Sequence, residues 1–402
     1  MTKTVVIAGA LDTKGQEFAF VKKLIEQAGL QTLVIDFGVM SDPAFAPDIS
    51  REEVAQAGGG NLVRLSSGQH KDEAMKTMAA GLTVIVRKLH EEGKLDGILS
   101  MGGSGNTSIA TAGMRTLPVG VPKLMVSTLA GGDVSPFVGT KDITMMPSVV
   151  DVAGINSISR VIYTNAAAAI AGMVKADIPT GEVKPLITAS MFGNTTTAVD
   201  HARSLIEPQG YEVLVFHATG AGGKTMEGLI RDGYIVGSLD MTTTELADYV
   251  CGGVLSAGPD RCLAASQAGI PTVLVPGCVD MANFGGIETV PDKYRGRNLY
   301  QWNPDITLLR TNEAENTQMG ELIAAAANAA TAPVAILLPL KGVSMLDSEG
   351  GQFWDPAADA ACFDAIKQNV KPSIPVIELD HNINDPEFSS QVAQTLLGML
   401  KQ

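Results

Sequence analysis

The chain has 402 residues, of which 45% are hydrophobic and 18% charged, with 43 glycines and a formal net charge of −14. This length exceeds one ordinary hydrophobic core, and the composition is that of a folded α/β protein with many turns, so we expect two domains. The acidic balance and the absence of a basic cluster in the sequence argue against nucleic acid or an anionic membrane as a partner.

Compartment signals in the sequence favour a reduced, soluble, cytoplasmic protein. The four cysteines form no CxxC pair, and the first residues lead directly into a strand without the apolar stretch of a signal peptide. No apolar run approaches the roughly 20 residues that span a bilayer. The five histidines and four cysteines show no metal-binding spacing, so we predict no metal centre of that kind.

The N-terminal stretch predicts a βαβ unit. Val5–Ala8 reads as a buried strand, the next helix ends at Gly29, and the strand Thr32–Ile35 ends in Asp36. In nucleotide-binding folds an acid at the tip of the second strand often bonds a ribose hydroxyl, and Asp36 is placed for that role. The alternative is a turn aspartate that accepts hydrogen bonds from local N–H groups, and the residues leave both readings open.

A glycine-rich turn follows the third predicted strand, Gly97–Met101, and a helix of small residues follows the turn. Exposed N–H groups and the positive end of a helix dipole form a site for phosphate or carboxylate, whereas the plainer alternative is a tight turn without a ligand. A fourth strand, Lys123–Val126, is followed by a second polar loop, which we expect at the same edge of the sheet. The residues that we expect to bind a ligand there are Gly102, Gly103, Ser104, Gly105, Asn106, Thr107, Ser127 and Thr128.

Residues 71–92 and 148–175 are predicted helices, and residues 176–185 have the composition of a linker. We therefore predict an N-terminal nucleotide-binding, Rossmann-like domain over residues 1–180. A C-terminal α/β domain with a second anion-binding loop is predicted over residues 185–402.

The second half of the chain repeats features of the first. At an offset of 181 positions Asp12–Lys14 correspond to Gly193–Thr195, and Asp36 corresponds to His217. We infer two similar lobes with mainly parallel sheets and a cleft between them. Three matches in the same order support this inference: Leu24–Glu26 with Leu205–Glu207, Gly97–Ser100 with Gly253–Ser256, and Gly120–Pro122 with Gly269–Pro271.

Ala218–Thr225 fits a relaxed phosphate-loop pattern, with alanine in place of the first glycine, between a strand and a short helix beginning near Met226. That helix is shorter than a phosphate-loop NTPase uses, so we predict an anion-binding loop. Nearby, Glu245 is expected to cap a helix and Arg261 to form a surface or helix salt bridge. The acid–base candidates for catalysis are His217, Lys224, Glu227 and Asp240.

The chain resembles the family that contains the ATP-binding inhibitory domain of a plant tobamovirus-resistance protein. The motifs that carry this resemblance are LDTKGQE (11–17), MGGSGNT (101–107), LPVGVPKLMVSTLAGGD (117–133), SVVDVAGIN (148–156), FHATGAGGKTMEGLI (216–230), and TTTELAD through CGGVLSAGPDR. The resemblance implies a two-lobed α/β protein whose N-terminal lobe binds ATP and can dimerise. It also implies nucleotide contacts from Asp12, Thr13 and Lys14. Two features depart from the family: Asn106 replaces a common glycine, and Lys224 is not a fixed feature.

Three functions remain open at this point. The first is an ATP-binding enzyme in which Lys14 and Mg²⁺ neutralise phosphate charge, with Asp36 or Asp12 on ribose or metal. Its small anionic substrate would lie in the C-terminal lobe, near His217 and Gly222–Lys224. The second is a nucleotide-gated binding or regulatory protein without turnover, and the third is a nucleotide-independent lyase or hydrolase centred on the C-terminal lobe. A homodimer is expected.

Overall fold

The computed structural model describes residues 2–67, 71–179, 181 and 183–401. The chain divides into two compact units, Met1–Thr180 and Gly181–Gln402. Within the predicted linker, Thr180 and Glu182 lie outside the described residues.

The N-terminal unit is a five-stranded parallel sheet in the order β2-β1-β3-β4-β5. Its strands are β1 (Thr4–Gly9), β2 (Gln31–Asp36), β3 (Gly97–Gly102), β4 (Lys123–Ser127) and β5 (Thr144–Pro147). Its helices are α1 (Leu11–Gln27), α2 (Arg51–Ala57), α3 (Leu62–Leu65), α4 (Lys71–Glu91), α5 (Ser104–Met114), α6 (Ser135–Val138) and α7 (Ser157–Lys175). The central strands β3 and β4 are buried along their whole length, as parallel strands covered on both faces are.

Helix α7 begins later than the sequence predicts. We expected a helix from residue 148, but residues 148–156 are irregular because Asn156 forms the N-cap. Its side-chain oxygen accepts hydrogen bonds from the N–H groups of Ile158 and Ser159, and Ser159 bonds back to the Asn156 N–H. This reciprocal capping box fixes the first turn of the helix.

The C-terminal unit has a six-stranded parallel sheet in the order β14-β13-β9-β8-β6-β7 and a three-stranded antiparallel sheet in the order β10-β12-β11. The strands are β6 (Leu186–Met191), β7 (Glu212–His217), β8 (Ile235–Asp240), β9 (Thr272–Leu274), β10 (Met281–Phe284), β11 (Leu299–Asn303), β12 (Ile306–Arg310), β13 (Val334–Pro339) and β14 (Val376–Leu379). The helices are α8 (Thr196–Ile206), α9 (Ala221–Arg231), α10 (Thr244–Cys251), α11 (Leu263–Ala268), α12 (Glu313–Asn328), α13 (Pro356–Asn369) and α14 (Pro386–Leu400).

The two parallel sheets have the same strand order over their first four strands, with the second strand at one side of the first and the third at the other. The predicted α/β class with two lobes and mainly parallel sheets is therefore confirmed. The offset of 181 aligns β2 with β7, but the matching of Gly253–Ser256 to β3 is wrong. Those residues form a loop after α10, and β8 is the third strand of the second sheet.

The antiparallel sheet β10–β12 was not foreseen from the sequence. It is inserted between β9 and β13. Phe284 and Leu309 pack into a core shared with the parallel sheet, whereas Met281 and Leu308 pack with Phe353 in a separate small cluster. In the described part of the chain, no helix is long and apolar enough to cross a membrane.

Candidate functional site

A pocket of about 300 Å³ lies at the carboxyl ends of the strands in the N-terminal unit. In the order β2-β1-β3, the connections from β1 and β3 lead to opposite sides of the sheet, and ligands of open α/β sheets bind at this point. The pocket is lined by residues that follow β1, β2 and β3, by α3 and by the start of α4: Ala10, Asp12, Thr13, Phe37, Gly38, Val39, Met40, Leu65, Lys71, Ala74, Met75, Gly105, Asn106 and Ile109.

The predicted anion-binding turn is the N-terminus of α5. Gly103 is the N-cap and provides no side chain to the first-turn N–H groups, which have no carbonyl acceptor within the helix. Gly102 has a φ of +156°, and a Cβ there would lie 2.5 Å from Asn106 Cβ, so this position requires glycine. Asn106 lies inside the helix, where a glycine is not needed, and its Nδ2 donates to the Met101 carbonyl at 3.1 Å.

Thr107, Ser127 and Thr128 support this turn. The Thr107 and Ser127 hydroxyl oxygens lie 2.7 Å apart and both residues are fully buried. Thr107 also donates to the Gly103 carbonyl, and the Thr128 N–H donates to the Gly102 carbonyl. Thr128 is exposed at the edge, whereas Thr107 and Ser127 fix the turn from behind.

Asp12 connects the loops after β1 and β2. Its Oδ2 accepts hydrogen bonds from the N–H groups of Met40 (2.8 Å) and Ser41 (3.3 Å), and its Oδ1 is buried without a partner among the described residues. Gly38 packs against this carboxylate, since a Cβ there would lie 2.6 Å from Asp12 Cγ. Thr13 is exposed beside Asp12 and lines the pocket.

Asp36 is fully buried at the end of β2. Its Oδ1 accepts from the N–H groups of Leu11 (3.0 Å) and Gly38 (2.8 Å), which are the contacts of the turn aspartate that we gave as the alternative. Burial raises the pKa of this carboxyl above its usual value. A ribose contact by Asp36 stays a prediction. The observed hydrogen bonds show that Asp36 connects the loops after β1 and β2.

Two lysines of this unit, Lys14 and Lys71, bear on the charge of the pocket. Lys14 lies at a kink in α1, with φ of −134°, and its Nζ donates to the Val152 carbonyl at 2.6 Å. Lys71, at the start of α4, is exposed and lines the pocket, whereas Lys14 is not among the lining residues. The sequence held no signal for Lys71 beyond its place at a helix start.

The second anion-binding loop is already filled by a side chain of the protein. Helix α9 begins at Ala221, so Gly222–Lys224 are helical, and Glu245 Oε1 accepts from the Gly220 N–H (2.6 Å) and the Gly223 N–H (3.1 Å). A Cβ on Gly223 would lie 2.1 Å from Glu245 Oε2, which explains the glycine. The anion at the predicted anion-binding loop is thus a carboxylate of the protein itself, and the prediction that Glu245 caps its own helix is wrong.

Arg261 holds three carboxylates together in a buried cluster, which we call the Arg261 cluster: Arg261, Asp240, Glu245 and Glu227. Its Nη2 donates to Asp240 Oδ1 (2.6 Å), its Nη1 to Asp240 Oδ2, and its Nε to Glu245 Oε2 (2.5 Å), while Glu227 Oε1 lies 3.5 Å from Nη1. Arg261 has no side-chain exposure, so the predicted surface salt bridge is wrong.

The titration of the Arg261 cluster follows from this burial. Burial raises the pKa of Glu227, since Arg261 offsets only part of the desolvation. Burial works against charge on Arg261, but Asp240 and its neighbours raise the pKa of the guanidinium well above its usual value. Glu227 Oε1 also accepts from the Cys262 N–H at 2.7 Å, and Asp240 accepts from the Ser190 hydroxyl. These contacts give Glu227 and Asp240 a structural role.

The four catalytic candidates do not converge. His217 is exposed at the end of β7 and stacks on Phe192, with ring centroids 5.3 Å apart. Lys224 is exposed on α9, while Glu227 and Asp240 are held within the Arg261 cluster. Over the described residues, no group of three or more His, Cys, Asp or Glu side chains is arranged to hold a metal ion.

Both units of the chain match models of known protein domains. Models described as the N-terminal and C-terminal domains of an uncharacterised protein family (UPF0261) match residues 3–179 and 184–400. A UPF0261 protein of Clostridium tetani is 51% identical over the whole of both chains, and one of Rhizobium meliloti is 44% identical over 96% of each. The ToMV resistance protein Tm-1(GCR237) of Solanum lycopersicum is 39% identical over 81% of this chain and 44% of its own length.

Proposed function

The chain belongs to the UPF0261 family, and we propose that its N-terminal unit binds ATP at the carboxyl edge of the sheet β2-β1-β3-β4-β5. The observation that carries this proposal is the pocket of about 300 Å³ at the point where the strand connections diverge, next to the uncapped N-terminus of α5. The resemblance to the family that contains a plant ATP-binding domain supports ATP as the nucleotide.

The pocket provides a separate environment for each part of a nucleotide. Apolar side chains, among them Phe37, Met75 and Ile109, suit the base. The N–H groups at the start of α5 and the positive end of its dipole suit the phosphates, and Lys71 adds a cation. The buried, unpartnered Oδ1 of Asp12 is an acceptor for a ribose hydroxyl or for water on Mg²⁺.

Nucleotide-gated binding without turnover is the form of this function that the geometry supports best. An enzyme acting on a small anion in the C-terminal unit needs a vacant anion site and free acid–base groups. Glu245 occupies the first, and the Arg261 cluster engages Glu227 and Asp240. The same contacts weaken the case for a nucleotide-independent lyase or hydrolase that uses these acids.

Thermal unfolding of the full chain with ATP, ADP, AMP or NAD, each with and without Mg²⁺, tests the proposal. A ligand at 100 times its dissociation constant stabilises the folded state by about 2.7 kcal/mol, which raises the melting temperature by a few degrees. We expect such a shift with ATP and its loss in Asp12→Ala. No shift with any nucleotide would refute the proposal.

A lysine pair separates phosphate binding from a general charge effect. Lys71→Ala should weaken the ATP shift, whereas Lys88→Ala, at the other end of the same helix and 3.9 Å from Glu92, should leave it unchanged. Release of ADP above the blank, abolished by Asp12→Ala, would contradict binding without turnover and favour the enzyme. Sedimentation with and without ATP tests the expected homodimer.

A further inference from the structure

A second pocket of about 300 Å³ lies in the C-terminal unit, at the carboxyl ends of β6 and β7. Under the offset of 181, the residues Asp12, Thr13 and Gly38 of the first pocket correspond to Gly193, Asn194 and Thr219, and all three of these line the second. The two units therefore have pockets at the same place in their folds. The second pocket has its own chemistry, set by residues that the Arg261 cluster does not use.

Aromatic and aliphatic side chains form most of its wall. His217 stacks on Phe192 with an interplanar angle of 20°, and Trp302 stands at the rim with 44% of its surface exposed. Val254 and Ile306 are also exposed there, from two further segments. Large apolar side chains gathered from separate segments at one concave site are typical of a binding surface.

The polar groups of this pocket select against anions. Within the described residues its lining contains no lysine or arginine, and Asp305 is the lining residue with a carboxylate. Asn194 is 3% exposed, its Nδ2 lies 3.2 Å from the Met281 sulfur, and its Oδ1 has no partner among the described residues. A carboxylate or phosphate placed here would lose water without gaining a lysine or arginine partner, whereas a ligand N–H or O–H finds an acceptor.

We propose that this pocket binds an uncharged or cationic molecule with a planar aromatic ring, lying against His217 and Trp302 and donating a hydrogen bond to Asn194. Aromatic faces favour both stacked rings and cations. The cavity holds a molecule of one or two rings, since a cavity of about 150 Å³ accommodates benzene. All the residues involved belong to the C-terminal unit, so the proposal does not rest on ATP binding.

Three probes with the same ring test the charge selection: benzamide (neutral), benzamidine (cationic) and benzoate (anionic). In a Trp354→Phe chain, Trp302 is the remaining tryptophan, and its fluorescence reports occupancy of the pocket. Ligand-observed NMR on the unmodified chain provides a second readout. We expect benzamide and benzamidine to bind with dissociation constants of about 1 mM, and benzoate to bind at least roughly tenfold more weakly.

A pair of glycine variants identifies the site. A Cβ at Gly193 meets open space, so Gly193→Leu should fill the pocket without a clash; Gly398→Leu, on the exposed side of α14, is the matched control. We expect Gly193→Leu to abolish binding and Gly398→Leu to preserve it, with both melting temperatures near that of the parent. Benzoate binding as tightly as benzamide, binding that survives Gly193→Leu, or no binding of any probe would each overturn the proposal.

Discussion

Replacement of Arg261 by methionine should destabilise the C-terminal unit severely. The change removes a guanidinium with no side-chain exposure and leaves three carboxylates, on Asp240, Glu245 and Glu227, with exposures of 4%, 0% and 7%. Removing one partner of a buried ion pair costs about 3–5 kcal/mol because an uncompensated charge stays behind. With three acids affected we expect the upper end of that range, which is a large fraction of an ordinary folding free energy of about 5–15 kcal/mol.

Urea unfolding followed by tryptophan fluorescence measures this effect in the full chain. Both tryptophans, Trp302 and Trp354, lie in the C-terminal unit, so the signal reports that unit. The matched control is Arg231→Met, which removes the half-exposed partner of the other Glu227 oxygen and should cost less than about 1 kcal/mol. Equal stabilities of the two variants would refute the reasoning.

The acidity of the orphaned carboxylates provides a second check on the same variant. The buried acids can take up protons once the guanidinium is gone, and burial already raises the pKa of Glu227. The difference in unfolding free energy between the parent and Arg261→Met should therefore be smaller at pH 5 than at pH 8. A difference that grows as the pH falls would contradict the presence of uncompensated carboxylates.

Three further predictions follow from other buried groups. Burial raises the pKa of Asp248 to about 7, so between about pH 4 and 7 the folded state holds a proton that the unfolded state has lost. The free energy of unfolding should therefore fall by up to roughly 4 kcal/mol as the pH rises through that window. Asp248→Asn should reduce this pH dependence, which urea unfolding at about pH 5 and pH 7.5 measures. Thr107→Val keeps the shape but removes the hydroxyl next to Ser127, which should cost about 1–3 kcal/mol in thermal unfolding; an unchanged melting temperature would contradict the contact. All four cysteines are buried and burial raises the pKa of each thiol, so a disulfide reagent at pH 8 should label them only after denaturation, and rapid labelling of the native chain would contradict this burial.

The sequence predicted β1 to β4 because their apolar runs are short and bounded by turns, whereas β5 was not predicted. The observed β1 and β2 are each one residue longer at both ends than predicted, and β3 and β4 are each one residue longer at the carboxyl end. The antiparallel sheet escaped prediction because its strands combine polar and apolar residues without a clear period. The cap at Asn156 likewise outweighed the helical pattern that precedes it.

The candidate site was harder to predict because glycine clusters have more than one physical cause. At the start of α5 the N-cap Gly103 leaves the first-turn N–H groups without a side-chain cap, whereas at the start of α9 Gly223 makes room for Glu245. In sequence the two stretches look alike, and only the long-range contact between Glu245 and Gly223 separates them. Arg261 was misjudged for the same reason, since its partners lie far away in the chain.

The carboxylate of Glu245 at the start of α9 has a consequence for competition by anions in solution. A tethered anion is present at an effective concentration that dilution and changes in metabolite level do not alter. At α5 in the N-terminal unit, by contrast, the N-cap residue Gly103 has no side chain to occupy the first-turn N–H groups. An anion from solution would therefore have to displace Glu245 in order to bind at α9, whereas at α5 it would not compete with a side chain of the N-cap residue.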